Sequence, residues 1–194
     1  MLCGLPTLQT NLLRARTYSE RMFRGERIGT LAIEPAREAF LRPLDGTGVR
    51  ADPDLVAAVL EEVQGYAYFL QLWGWELWEV TVGSGLDLFT TDILNAIQPL
   101  IYDRLDEDFY AGRFDSLTPA LQDLLLDSTR CRYPPLRTAD LQRATKKSSG
   151  NTNVVLGRLA DEGVIYRIQK GQYEYTAPKF HDYLQRRRKA LRSD

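Results

Sequence analysis

One ordered stretch constrains this chain more than any other, the run from about Arg137 to Tyr183. Thr138 stands where it would cap a short helix, Ala139 to Ala144, with Leu141 pointing inward. TKKSSGN (145–151) reads as a turn, and Ser148 or Ser149 caps a second helix. Val154, Val155 and Leu159 are the expected core side of that helix, and Gly163 is the C′ residue that lets the chain turn left-handed. VIYRI (164–168), Gln169-Lys170-Gly171 and QYEYT (172–176) then alternate with period two around a glycine, which predicts a hairpin. Helix, turn, helix and two-stranded hairpin is the sequence form of a winged helix-turn-helix, a module that usually holds nucleic acid.

If duplex DNA is the partner, the residue types assign themselves to roles. Asn151, Thr152, Asn153 and, one to two turns later, Arg158 are the positions left for the groove. Asparagine can bond adenine edges, and arginine can bond guanine or phosphate. Lys146 and Lys147 sit where a helix would cross the backbone and contribute charge without sequence preference. Arg167 and Lys170 are what a wing laid on phosphates would present. Pro178 starts a last helix with Phe180, Tyr183 and Leu184, ending in QRRRKALR (185–192). That basic end suits either DNA or its own helix dipole and solvent.

The charge supports two functional units. Residues 1–129 hold 10 Arg, no Lys and 20 Asp plus Glu, a net of -10. Residues 130–194 hold 15 Lys plus Arg against 6 Asp plus Glu, a net of +9. The second unit therefore carries the expected nucleic-acid face.

Upstream the pattern is helical. Leu8, Leu12, Ala15, Tyr18, Met22 and Phe23 space a helix over 5–24, and Pro35 sits in the first turn of another that runs to Leu44. Asp52-Pro53 starts a third, with Leu55, Val56, Val59, Leu60 and Val63 as its buried stripe. In GYAYFLQLWGWELWEV (65–80), Tyr66, Phe69, Leu70, Trp73, Leu77 and Val80 share one face. VGSGLDLFTTD (82–92) reads as a linker with Thr91 or Asp92 as an N-cap. A helix from Ile93 through Tyr110, interrupted at Pro99, and another from Pro119 through Leu126 follow. The expected class is mainly α with a small β-hairpin, divided as residues 1–82, connecting helices 83–129, and a winged helix over 130–194.

Taken in order, further segments carry a family resemblance. They are GLPTL (4–8), ARTYSERMF (15–23), IGTLAIEPAREAFLRPLDGTGV (28–49) and GYAYFLQLWGWELWE (65–79). DEDFYAGRFDSLTPALQDLL (106–125) and the ADEGVIY and YTAPKFHDYLQRR runs (160–187) complete the set. Over nearly the whole chain this resembles the carboxy-terminal part of origin-recognition-like and archaeal-type bacterial ATP-binding proteins, a group of AAA+ ATPases. In that family a P-loop core precedes a helical lid, and a winged helix follows the lid. The resemblance implies that this chain would begin after the core and hold the lid and the winged helix. Nucleotide state in the core would rotate the lid and reposition the winged helix on DNA.

The sequence holds no G-x-x-x-x-G-K-[ST] and no acidic Walker B strand, so independent ATP hydrolysis is not expected. ATP and magnesium are expected only with the core, which is itself an implied partner. Many lids place an arginine at the start of the helix corresponding to GYAYFLQ. Here Tyr66, Ala67, Tyr68 and Phe69 stand there, so nucleotide sensing would fall to packing by Tyr66 and Tyr68, or to Arg16 or Arg21.

The alternative is a free-standing winged-helix transcription regulator whose acidic half senses a ligand or forms a homo-oligomer. An enzyme is poorly supported, since His181 is the lone histidine and sits beside Asp182, far in sequence from Ser and Cys candidates. Asp103, Asp106, Glu107 and Asp108 read as a solvated face, and neither metal nor catalytic residues are assigned. Cys3 and Cys131 read as reduced thiols. With no run of eighteen apolar residues, no membrane is expected and a cytoplasmic location is.

Overall fold

Helices account for most of the described chain, and two small sheets complete it. The computed structural model describes Leu12, Ala15, residues 29–145 and residues 148–191, the side chain of Ser149 excepted. The helix expected over 5–24 lies outside the described residues but for Leu12 and Ala15. Two compact units emerge, one over Thr30–Gly112 and one holding the chain from Arg113 onward.

In the first unit, α1 spans Ile33–Leu41 and continues as a 3-10 turn over Arg42–Leu44. β1 is Arg50–Ala51, and α2 is Pro53–Val63. Asp52 caps α2 by accepting from Asp54 N at 2.9 Å. All five apolar residues of the expected α2 stripe are buried. The turn after α2 needs Gly65, because φ is +71° and a Cβ there would lie 2.1 Å from the Leu31 carbonyl oxygen. α3, Ala67–Gly83, packs against α1, α2 and α4, the last spanning Thr91–Arg104. Phe69, Leu70, Trp73 and Leu77 form its buried side, as the spacing predicts, but Val80 is exposed and Glu76 is buried. Glu76 tolerates the interior because Arg104, from α4, forms an ion pair with it.

Two expectations for this unit need correction. VGSGLDLFTTD is not only a linker, since β2, Leu88–Phe89, pairs in parallel with β1 there. The cap of α4 is Thr90, whose hydroxyl accepts from Ile93 N at 3.3 Å, rather than Thr91 or Asp92. Helix α4 runs through Pro99, which is exposed, and widens into a π-helix over Leu105–Ala111.

A helical turn, Gly112–Asp115, has all but its first residue in the second unit and is followed there by α5, Pro119–Ser128. β3 is Leu136–Arg137, α6 is Thr138–Thr145 and α7 is Ser149–Asp161. β4, Ile165–Gln169, and β5, Gln172–Tyr175, lead to α8, Phe180–Ala190. The sheet is antiparallel with order β3-β5-β4. Helix α5 packs on α6, α7 and α8, burying Leu121, Leu124 and Leu125. The expected boundary at 129/130 therefore moves to 112/113. The charge changes near 130, but the leucines of α5 belong to the core of the basic part. The boundary at 82/83 falls inside α3. No helix among the described residues is long and apolar enough to cross a membrane.

Candidate nucleic-acid interface

Helix α7 owes its start to Ser148, whose hydroxyl accepts from Asn151 N at 3.4 Å. Its end is Gly163, at φ +72°. Between them, Thr152, Val155, Leu156 and Leu159 are buried, a stripe at i, i+3, i+4 and i+7. This overturns two assignments. Thr152 is fully buried, its hydroxyl donating to the Ser148 carbonyl oxygen at 3.1 Å, so it is not a groove-facing residue. Val154 is 55% exposed rather than core, and Leu156 takes the inward place. The stripe is rotated because the threonine hydroxyl satisfies itself on the preceding turn and leaves its methyl for the core.

Asn151, Asn153 and Arg158 are exposed on α7, as the sequence predicts. The first turn holds no acidic residue, so its N–H groups add positive potential at that end. Arg167 is exposed on β4 and Lys170 at the β4–β5 turn. That turn is tied to the start of α6, where Thr138 N donates to the Gly171 carbonyl oxygen at 3.0 Å. Lys146 and Lys147 lie outside the described residues, as do Arg16 and Arg21.

Arg137 was not singled out from sequence. It is exposed on β3 opposite Gln172, at the end of the sheet near Lys170. A two-residue strand has no periodicity from which to read it. On β4, Tyr166 donates to Glu174 Oε2 at 2.6 Å, and burial first, then that bond, pushes its phenol up to about 12. The phenol is therefore neutral at ordinary pH.

The basic end of α8 is engaged within its own unit. Arg187 pairs with Asp115 at 2.8 Å and lies over the Phe114 ring, and Arg188 donates to Thr129 Oγ1 at 2.7 Å. His181 is buried, its ring stacked on Tyr133 with centroids 4.7 Å apart. Burial pushes its pKa down, partly opposed by Asp182. Burial, then Asp140 and Asp127, raises the Cys131 thiol, so thiolate chemistry is disfavoured.

A family model described as a domain of unknown function (DUF8462) matches residues 107–184. The match takes in α5 through β5 and the first turns of α8. No curated protein and no solved structure matches the chain.

In the first unit, Tyr66 and Tyr68 are parts of one aromatic cluster. Tyr66 meets Phe69 and Phe109 edge-on at 4.9 and 5.8 Å, and Tyr68 stacks on Phe109 at 5.4 Å. These rings pack the start of α3 against the π-helix. No group of three residues suited to hold a metal ion occurs among the described residues.

Proposed function

We propose that the second unit is a winged helix-turn-helix that grips duplex DNA, within a chain that is the non-catalytic, C-terminal regulatory and DNA-binding portion of an AAA+ ATPase. In this reading α5, α6 and α7 are the three helices of the module, β3 is the short strand between the first two, and β4–β5 is the wing. The sheet order β3-β5-β4 supports it. The observation that carries it is the division of α7. One side is sealed into the core, while Asn151, Asn153 and Arg158 are exposed and Lys170 and Arg167 stand exposed on the hairpin. Helix α7 would lie in the major groove, with the wing on the flanking backbone.

The first unit takes the part of the lid. Trp75, Val82 and Leu86 are exposed apolar residues that a nucleotide-binding core would cover. ATP and magnesium belong to that core, and this chain binds without hydrolysing.

Fluorescence anisotropy of the full chain with a short random-sequence duplex tests the DNA reading. At low salt the dissociation constant should be on the order of micromolar or tighter, and Arg158→Ala with Lys170→Ala should weaken it by roughly tenfold or more. Absence of binding at low salt overturns the reading.

A further inference from the structure

We infer that Val154 reads a base, seating the C5-methyl of a thymine in the major groove; this rests on the DNA-binding reading of α7 above. Thr152, Val155, Leu156 and Leu159 fix the inward side of the helix. At 3.6 residues per turn, the middle of the opposite side falls on Gly150, Val154, Gly157 and, in the last turn, the exposed Asp161. A Cβ at Gly150 or Gly157 would meet nothing within 4 Å, so Val154 stands between two bare turns. Asn151 and Arg158 lie along one flank and Asn153 along the other.

Val154 is more than half exposed, at 55%, so little of this β-branched apolar side chain is used by the core. It is turned away from the core, and valine is among the weaker helix formers. The major groove offers asparagine and arginine several donors and acceptors, but its one apolar feature is the thymine methyl. An isopropyl group between two polar flanks therefore discriminates thymine from cytosine, while the flanks bond to their own bases or phosphates. Valine is short, and the bare turns on either side let it come close.

The test begins by selecting preferred sites from a random duplex library with the full chain. Each thymidine of the selected duplex is then replaced in turn by deoxyuridine, which removes only the methyl group. At one position the wild-type protein should lose about fourfold in affinity, the worth of one buried methyl. Val154→Ala should bind the thymidine and deoxyuridine duplexes alike, with an unchanged helical circular dichroism spectrum. Val154→Thr, which keeps the shape and one methyl, should retain part of the preference. If the wild type binds both duplexes equally, or selects no sequence while still binding DNA in a salt-sensitive way, the role of Val154 is overturned and the DNA-binding reading stands. Failure to bind any duplex at low salt overturns both.

Discussion

Thr152 Oγ1 donates to the Ser148 carbonyl oxygen at 3.1 Å, and this bond belongs to a first turn of α7 in which Thr152 faces the core while Asn151 and Asn153 face out. The same Ser148 caps the helix through its hydroxyl. Ser148→Ala should therefore cost about 1 kcal/mol of unfolding free energy, measured by urea titration. Thr152→Val should shift stability by less than about 1 kcal/mol, because the Ser148 carbonyl keeps its bond from Thr152 N. DNA affinity should be unchanged in Thr152→Val, and a tenfold loss would contradict the inward placement.

Gly157 sits inside α7, where glycine weakens a helix and the surroundings leave open space for a side chain. Gly157→Ala should stabilise the unit by about 0.5–1 kcal/mol. Yet the added methyl stands on the outward face, so DNA affinity should fall. Thermal melts and anisotropy on one protein preparation separate the two effects. A variant that is both more stable and equally tight would show that this face does not approach DNA closely.

His181 is buried against Tyr133, and its Nε2 lies 3.0 Å from the Gln185 amide nitrogen, a contact in which the amide donates to a deprotonated ring nitrogen. Burial lowers its pKa below the ordinary 6.5. The unfolded chain then binds more protons than the folded one between the two pKa values, so stability is full above 6.5 and falls as the pH drops below it. Urea midpoints of the wild type should decrease from pH 7 to pH 5.5, and less so in His181→Gln. Equal pH dependence in the two proteins would contradict the assignment.

Glu76 is 5% exposed on α3 and pairs with Arg104 on α4, whose guanidinium also lies over the Trp75 ring at 5.3 Å. Arg104→Met strands a buried carboxylate and should cost about 2–3 kcal/mol, somewhat under the fully buried case because Arg104 is partly exposed. Adding Glu76→Leu should recover part of that loss. Strict additivity in the double-mutant cycle would mean that the two residues do not act as a pair.

Periodicity made much of this fold legible. The α2 stripe, Leu141 and the β4–β5 hairpin all follow from spacing, and on α7 so do Val155 and Leu159, whereas Val154 is exposed and Thr152 and Leu156 are buried in its stead. The difference matters. Val154-Val155-Leu156 is a run of three apolar residues, and which two face inward depends on Thr152, a residue whose polarity alone argues for solvent. β1, β2 and β3 are two-residue strands, too short for alternation, so their pairing and the placement of Arg137 come only from tertiary structure. The unit boundary was misplaced because charge reports surface, whereas Leu121, Leu124 and Leu125 report packing. The burial of Glu76 has no local signal, because its partner Arg104 lies on another helix, 28 residues later.

The measurement that bears most directly on the account is the salt dependence of binding between the full chain and a random duplex. The logarithm of the binding constant should fall linearly with the logarithm of salt, with a slope of about −0.9 for each phosphate contact. Lys170→Ala and Arg167→Ala should each reduce that slope by roughly one contact while leaving any sequence preference in place. An affinity indifferent to salt, or slopes unmoved by both substitutions, would contradict a wing laid on the DNA backbone.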